Sequence, residues 1–323
     1  MIKTRITEML NIAYPIVQGG MQWLSTAELA AAVSQAGGLG LISAATFPEP
    51  EDLRSEIRKA RELTGKPFGV NISMLPQINY GDLTEKYFQV VLEEEVPVVE
   101  TAGRSPEEYV HRLKETGIKL IHKVPAVRYA QKAEKIGADA VTVVGFECGG
   151  HPGMDDVTTL VLAPRTASSL SIPVLAGGGI ADGRGFVAAL SLGAEGIVMG
   201  TRFATTTECL AHTRYKEWIA SARETDTMIV ERSLKNPLRA MRNLAAEKVL
   251  EMEQKGATLE ELMPVISGKQ GKKALEEGNL DEGVLAVGQV AGLIEEIKMV
   301  QEVIEDRIKE ASEILEKLKG AGL

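Results

Sequence analysis

The stretch at residues 173–201, PVLAGGGIADGRGFVAALSLGAEGIVMGT, limits what this chain can fold into more than any other. It reads as a buried strand at 173–176, three consecutive glycines (Gly177, Gly178, Gly179), a short helix from about Gly183, and a second apolar strand ending at Gly200 and Thr201. Glycines at a strand's C-terminal end let backbone approach a ligand with no Cβ in the way, and bare N–H groups there can point at an anion. Two such turns, one helix apart, suit a phosphate. In a (β/α)8 barrel they are expected after strands 7 and 8, at the catalytic face. Glycines also make ordinary tight βα turns, but three in a row exceed what such a turn needs.

The rest of the chain repeats the same unit, short apolar runs alternating with amphipathic helical stretches. Strands are expected at 14–18, 39–44, 68–73, 97–101, 119–123 and 140–145, ahead of the two already named. Between them, Ser25 or Thr26 caps a helix that Gly37 and Gly38 end. Further helices are expected at 51–64, 84–94, 106–115, 126–136 and 158–170, with a looser segment around Pro76. Eight strand–helix units favour an α/β closed TIM barrel over an open doubly wound sheet, which would show a long crossover at a strand-order switch.

Past Phe203 the pattern changes. Residues 205–278 read as almost wholly helical, broken at Asn236-Pro237 and Ser267-Gly268, with no strand candidate. Residues 283–293 (GVLAVGQVAGL) are small and uncharged, and 294–318 read as a charged amphipathic helix. The expected organisation is a barrel of residues 1–204 and 283–323 carrying a helical insertion at 205–282 after strand 8. The last helix either returns to the barrel or pairs with a second chain, so a homodimer is open to it.

With 323 residues and 44% hydrophobic content the chain can bury a full core, and at 4% aromatic content that core is aliphatic. A net charge of −9 argues against nucleic acid and anionic membrane surfaces as partners. Cys148 and Cys209 form neither a disulfide framework nor a zinc spacing. No uninterrupted apolar region follows MIKTRITEML, and no run reaches the roughly 18 apolar residues of a membrane span. A soluble cytoplasmic protein acting on small molecules is expected.

Barrel active sites sit where strands end. Those ends carry Gly19, Gly20, Met21, Gln22 and Trp23, then Asn71 and Ser73, Glu100 and Thr101, His122 and Lys123, residues 147–151, and the two glycine turns. The set offers amides, hydroxyls, a lysine and a histidine, without clustered carboxylates for two-metal hydrolysis or a zinc set; no metal is expected. It suits a planar, phosphate-bearing cofactor that brings its own reactivity. Flavin mononucleotide (FMN) fits: its phosphate on the turns at Gly178-Gly179 and Gly200-Thr201, its ring edge near Gly20, Met21 and Ser73. Lys123 would place positive charge near N1 and O2, where reduction deposits negative charge. A rim lysine can also be tied up in a structural ion pair.

PIVQGGMQW, GVNISMLP, IHKVPAVRYA, GFECGGHPG, AGGGIADGRG and VMGTRF occur in that order and span nearly the whole chain. Together they resemble the nitronate monooxygenase, or 2-nitropropane dioxygenase, superfamily of FMN-binding TIM barrels. QGGMQW at 18–23, VETAG at 99–103 and Pro152 after His151 are most similar to its NADH:quinone reductase group. The resemblance implies FMN against Gly19, Gly20, Met21, Ser73, Lys123, Gly149, Gly177, Gly178, Gly179, Gly200 and Thr201. Lys123 and His151 become the catalytic candidates. Gln22, Trp23 and His151 fall on the substrate side, with Arg239 or Arg242 as further dinucleotide contacts. Two positions depart from the pattern: Val144 replaces a polar or acidic residue and Gly177 a serine, which leaves backbone contacts there. A lone histidine in a glycine loop can equally be bonded to a neighbour.

The implied reaction is transfer of a hydride from NADH or NADPH to FMN and then of two electrons to a quinone. The alternatives are oxidation of alkyl nitronates by O2 and enoyl-ACP reduction (enoyl-ACP reductase II), although an acidic carrier finds no evident basic patch on a −9 chain. A flavin-free barrel binding a sugar phosphate is the reading from outside redox chemistry.

Overall fold

The computed structural model describes residues 2–74 and 81–322; the segment around Pro76 lies outside the described residues. After α1 (Arg5–Leu10), seven strand–helix units follow: β1 (Ile16–Gln18) and α2 (Ala27–Gln35), β2 (Gly40–Ser43) and α3 (Pro50–Leu63), β3 (Phe68–Met74) and α4 (Gly81–Glu93), β4 (Val98–Gly103) and α5 (Glu107–Glu115). The series continues with β5 (Lys119–Val124) and α6 (Val127–Ile136), β6 (Ala140–Val144) and α7 (Thr159–Ala167), and β7 (Val174–Gly177) and α8 (Gly183–Ser191). The eighth strand is β8 (Gly196–Met199). All neighbouring pairs run parallel in the order β1-β8-β7-β6-β5-β4-β3-β2, so the fold is a TIM barrel.

Local sequence accounts for these elements. In α3, Pro50 occupies the first turn with Glu51 and Asp52, and Leu53, Ile57 and Ala60 are the buried residues, one stripe at i, i+4, i+7. Alternation divides the strands. Val17, Leu41, Val98, Ile121, Ala140, Leu175 and Val198 face inward, and α1 closes the barrel floor by packing Ile6 and Leu10, with Ile12 beside them, onto this set. The intervening residues, such as Ile42, Val70, Val99 and Val141, pack outward against the helices.

Closure depends on one seam. β1 and β2 share a single bridge, Val17 to Leu39, with the Leu39 amide on the Ile16 carbonyl and the Gln18 amide on the Leu39 carbonyl. Beyond it the Gln18 side chain takes over from the ladder. Its Oε1 accepts the Leu41 amide at 2.9 Å, while Nε2 donates to the Gly19 carbonyl at 2.7 Å and Ser25 Oγ at 2.6 Å. Ser25 Oγ also accepts the Met21 amide at 2.8 Å, so this hydroxyl fixes the loop after β1. The N-cap of α2 is Thr26, whose hydroxyl makes no capping bond.

The chain after β8 departs from the all-helical expectation. It forms α9 (Thr201–Ala204) and α10 (Thr213–Ser221), then an antiparallel hairpin of β9 (Thr227–Val230) and β10 (Leu238–Met241), then α11 (Leu244–Gln254), α12 (Leu259–Ile266) and α13 (Gly268–Glu277). Each hairpin strand is four residues long, too short for alternation to announce it. Met228 and Val230 pack with Ala246, Val249 and Leu262 in an apolar cluster separate from the barrel's. The final helix, α14 (Val300–Gly320), lies against α8 and α2, burying Val300, Val303, Ile304 and Ala311. It fills the place that a helix directly after β8 would have taken.

Replacing Gln18 with Ala strands the buried Leu41 amide at the seam, and a loss of about 1–3 kcal/mol is expected. Urea unfolding checks it; an unchanged midpoint would mean that the bridge alone holds β1 to β2.

Candidate active site

Above the apolar interior, inward positions turn polar or small: Gly19, Asn71, Ser73, Glu100, Lys123, Thr142, Gly177 and Gly200 continue the same alternation. Val98 and Ile121 below are 1% exposed, whereas Gly20, Met21, Ser73, Lys123, Val144, Gly178, Gly179 and Gly200 keep accessible surface. A bowl therefore opens at the C-terminal ends of the strands.

On one wall Lys123 Nζ lies 2.8 Å from Oε1 of Glu100, a carboxylate only 1% exposed. Asn71 Nδ2 also approaches that oxygen, at 3.4 Å, and Ser73 Oγ approaches Asn71 Oδ1 at the same distance. Asn71 is wedged against Gly20, where a Cβ would fall 2.3 Å from the Asn71 carboxamide carbon. Lys123 thus combines both sequence readings, a rim lysine in an ion pair that still reaches the bowl.

His122, one residue earlier, points the other way. Its Nδ1 is 2.8 Å from Thr101 Oγ1, and the ring is 4% exposed behind the sheet. Burial lowers its pKa to about 4, and the Lys123 charge works in the same direction.

The opposite wall carries the glycine turns. Gly178 and Gly179 have φ of +87° and +76°, which a side chain would resist. A Cβ on Gly200 would meet only Met21 Sδ, at 3.6 Å, so that face of the turn is open. The Thr201 hydroxyl is engaged, accepting the Gly288 amide at 3.0 Å. Gly149 abuts Gly288, since a Cβ there would come 2.7 Å from its nitrogen, so the 283–293 segment backs the loops at this wall. Sequence reasoning left Gly288 out of the site because nothing local signals that contact. Glu147 stands beside the Gly178-Gly179 turn, its Oε1 3.5 Å from where a Cβ on Gly179 would fall, and it accepts Thr159 N and Oγ1 at the start of α7.

His151 stands on the exposed rim with Nδ1 3.1 Å from the Pro237 carbonyl. A carbonyl only accepts, so Nδ1 carries the proton and Nε2 is left as the accepting atom. Crowding by the surrounding chain lowers its pKa; the Pro237 bond opposes this, and the ring's exposure tempers it. The ring is neutral at pH 7. Cys148, beside Gly178, is held as a thiol: desolvation pushes its pKa to about 12 although part of the residue stays open.

Arg239 does not reach the bowl. It is 3% exposed, stacks 4.5 Å over Phe146, and donates to the Phe146 carbonyl and Thr227 Oγ1, while its backbone pairs with Gly150. Its work is to pin the hairpin to the loop bearing His151. Arg242 is exposed in a separate cleft of about 470 Å³ with Arg214 and Trp218. Gln22 donates to the Ala45 carbonyl at 3.0 Å. Trp23, at φ +69°, lies under Lys272, and a Cβ on Gly268 would sit near both Gln22 and Trp23, so α13 borders this side of the rim. Another cavity, of about 520 Å³ between α8, α14 and residues 293–296, also lies outside the bowl. The amide and charge chemistry of the strand ends marks the site, not cavity size.

The family profile described as nitronate monooxygenase matches residues 3–310. The chain belongs to the nitronate monooxygenase family. It is 34% identical to a probable nitronate monooxygenase of Staphylococcus saprophyticus, over 97% of this chain and 99% of that protein. It is 33% identical to a Mycobacterium tuberculosis protein, (3aS,4S,5R,7aS)-5-hydroxy-7a-methyl-1-oxo-octahydro-1H-indene-4-carboxyl-CoA dehydrogenase, over 96% of each. Among solved structures, FabK from Thermotoga maritima superposes with a TM-score of 0.93 at 44% identity, covering 99% of this chain and all of that one. Nitroalkane oxidase from Streptomyces ansochromogenes gives a TM-score of 0.84 at 25% identity, over 98% and 100%. Nitronate monooxygenase family members are oxidoreductases and generally FMN-dependent. The bowl fits that cofactor, with a turn free of Cβ atoms on one wall and a lysine facing it from another. Among the described residues no helix is long and apolar enough to cross a membrane.

His122 sets an acid limit on stability. Its folded pKa of about 4 lies below the ordinary 6.5, so the unfolded chain binds the proton first and stability falls as pH drops from about 6.5 towards 4. The loss should total about 3 kcal/mol, order of magnitude, and His122→Gln should flatten it. Denaturation midpoints at pH 7 and 4.5 check this; an equal fall in the variant would remove His122 as the cause.

Proposed function

We propose that this protein is an FMN-dependent reductase that oxidises NADH or NADPH and passes the electrons to an enoyl thioester. The observation that carries the acceptor is the whole-chain likeness to FabK, an enoyl-ACP reductase II, stronger than the likeness to the nitronate monooxygenase of Staphylococcus saprophyticus. The mycobacterial relative named for a carboxyl-CoA substrate points to thioester acceptors as well. A second reading, NAD(P)H:quinone reductase, rests on QGGMQW at 18–23, VETAG at 99–103 and Pro152 after His151.

Bound FMN would supply the two-electron chemistry between nicotinamide and acceptor. The chain would hold its phosphate on the amides at Gly178-Gly179 and Gly200-Thr201, with Gly19, Gly149 and Gly177 also bordering the cofactor. Gly20, Met21 and Ser73 would border the ring. Lys123 would set fixed positive charge where reduction deposits negative charge, with no reorganisation needed at the moment of transfer. Reduction of the acceptor takes up a proton as well as a hydride, and His151, neutral with Nε2 unprotonated, would stand at the rim as an accepting atom that can be loaded with that proton. Serving as an acid there requires it to be protonated first. Gln22 and Trp23, on the rim beside α13, would contact the substrate.

Anaerobic stopped-flow mixing with NADH, NADPH and propionate 3-nitronate, followed by reoxidation with enoyl-CoA, enoyl-ACP, a quinone or O2, tests the assignment. The expected result is a yellow protein reduced by a nicotinamide and reoxidised fastest by an enoyl thioester. Fastest reoxidation by quinone moves the assignment to the second reading, and preferential turnover of nitronate with O2 overturns both. Lys123→Met protein that retains FMN should be reduced roughly 10- to 100-fold more slowly; an unchanged rate would remove Lys123 from its role.

A further inference from the structure

We infer that Glu100 is a positioning residue that sets the reduction potential of the site by partly cancelling the charge of Lys123. The inference rests on the proposed function and deepens it. Three observations carry it. Glu100 is an inward-facing carboxylate with 1% of its side chain exposed, and its inward neighbours, Val98 below it and Ile121 level with it on β5, are apolar. Taking a carboxylate out of water costs several kcal/mol unless it is paired. Its partner is Lys123 Nζ at 2.8 Å, the side chain that faces the cofactor bowl. Its geometry is not free to drift: Asn71 Nδ2 lies 3.4 Å from the same carboxylate oxygen, and Asn71 is wedged against Gly20 on the neighbouring rim.

A lone ammonium at Lys123 would stabilise the negative charge that reduction deposits on the isoalloxazine and draw the bound cofactor towards its reduced form. A carboxylate within hydrogen-bonding distance of that ammonium offsets much of its field over a few ångströms. The pair therefore holds the potential low enough for the electrons to move on to an acceptor, while the ammonium keeps a fixed place. The carboxylate acts through Lys123 and has no assigned contact with cofactor or substrate.

Glu100→Gln keeps the shape and removes the charge. The two-electron midpoint potential of bound FMN, measured by anaerobic dye equilibration, should rise by the equivalent of about tenfold in the reduction equilibrium, about 30 mV. By the thermodynamic cycle, affinity for reduced FMN should rise about tenfold more than affinity for oxidised FMN. A merely structural role would weaken both forms together and leave the potential in place. An unmoved or lowered potential in a variant that holds FMN overturns this inference alone; a parent protein that retains no FMN overturns the functional reading and this inference with it. Should Glu100→Gln fail to fold, Glu100→Asp, which withdraws the carboxylate by one methylene, should shift the potential in the same direction by less, and no shift there overturns the inference equally.

Discussion

Everything at the active face depends on closing the ring of strands. A parallel sheet with a free edge would expose unpaired backbone groups and have no interior. Here the last join, between β1 and β2, is a single bridge supplemented by the Gln18 carboxamide, which stands in for ladder bonds that the short β1 does not make. The same carboxamide holds Ser25, and Ser25 holds the Met21 amide. The closure of the barrel and the shape of the loop after β1 are therefore set by one hydrogen-bond cluster.

Closure also fixes which side chains meet. With the floor filled by α1 and the outer face covered by helices, the polar inward groups Asn71, Ser73, Glu100, Lys123 and Thr142 gather towards the C-terminal ends of the strands. Glu100, the buried carboxylate among them, is paired with Lys123 at 2.8 Å. His122 lies one residue from Lys123 and, by alternation, is buried behind the sheet, where its neutral form is favoured. Adjacent residues of one strand thus have unrelated roles.

The segment after β8 serves the barrel twice. Its hairpin reaches back through Arg239 and Gly150 to hold the His151 loop, and the Pro237 carbonyl sets the tautomer of His151. The returning chain presents Gly288 to Thr201 behind the turn that follows β8, and α14 then completes the ring of helices against α8 and α2. What the hairpin, α11 and α12 bury together is a small core of their own.

The repeat of apolar runs and amphipathic stretches, the glycine turns after β7 and β8, and the placement of Lys123 at a strand end were all written in local sequence. Each depends on the spacing of neighbouring residues, with period 2 for a strand and 3.6 for a helix. The hairpin was not legible in the same way, because its strands are four residues each and its turn uses left-handed Glu231 and Lys235 rather than a glycine signal. Nor were the Glu100–Lys123 pair, the diversion of Arg239 into a structural stack, or the Gly288 contact with Thr201. Those join residues 23, 93 and 87 positions apart. Only the closed barrel decided them, because packing rather than local spacing chooses the partner of a side chain once the strands are in register.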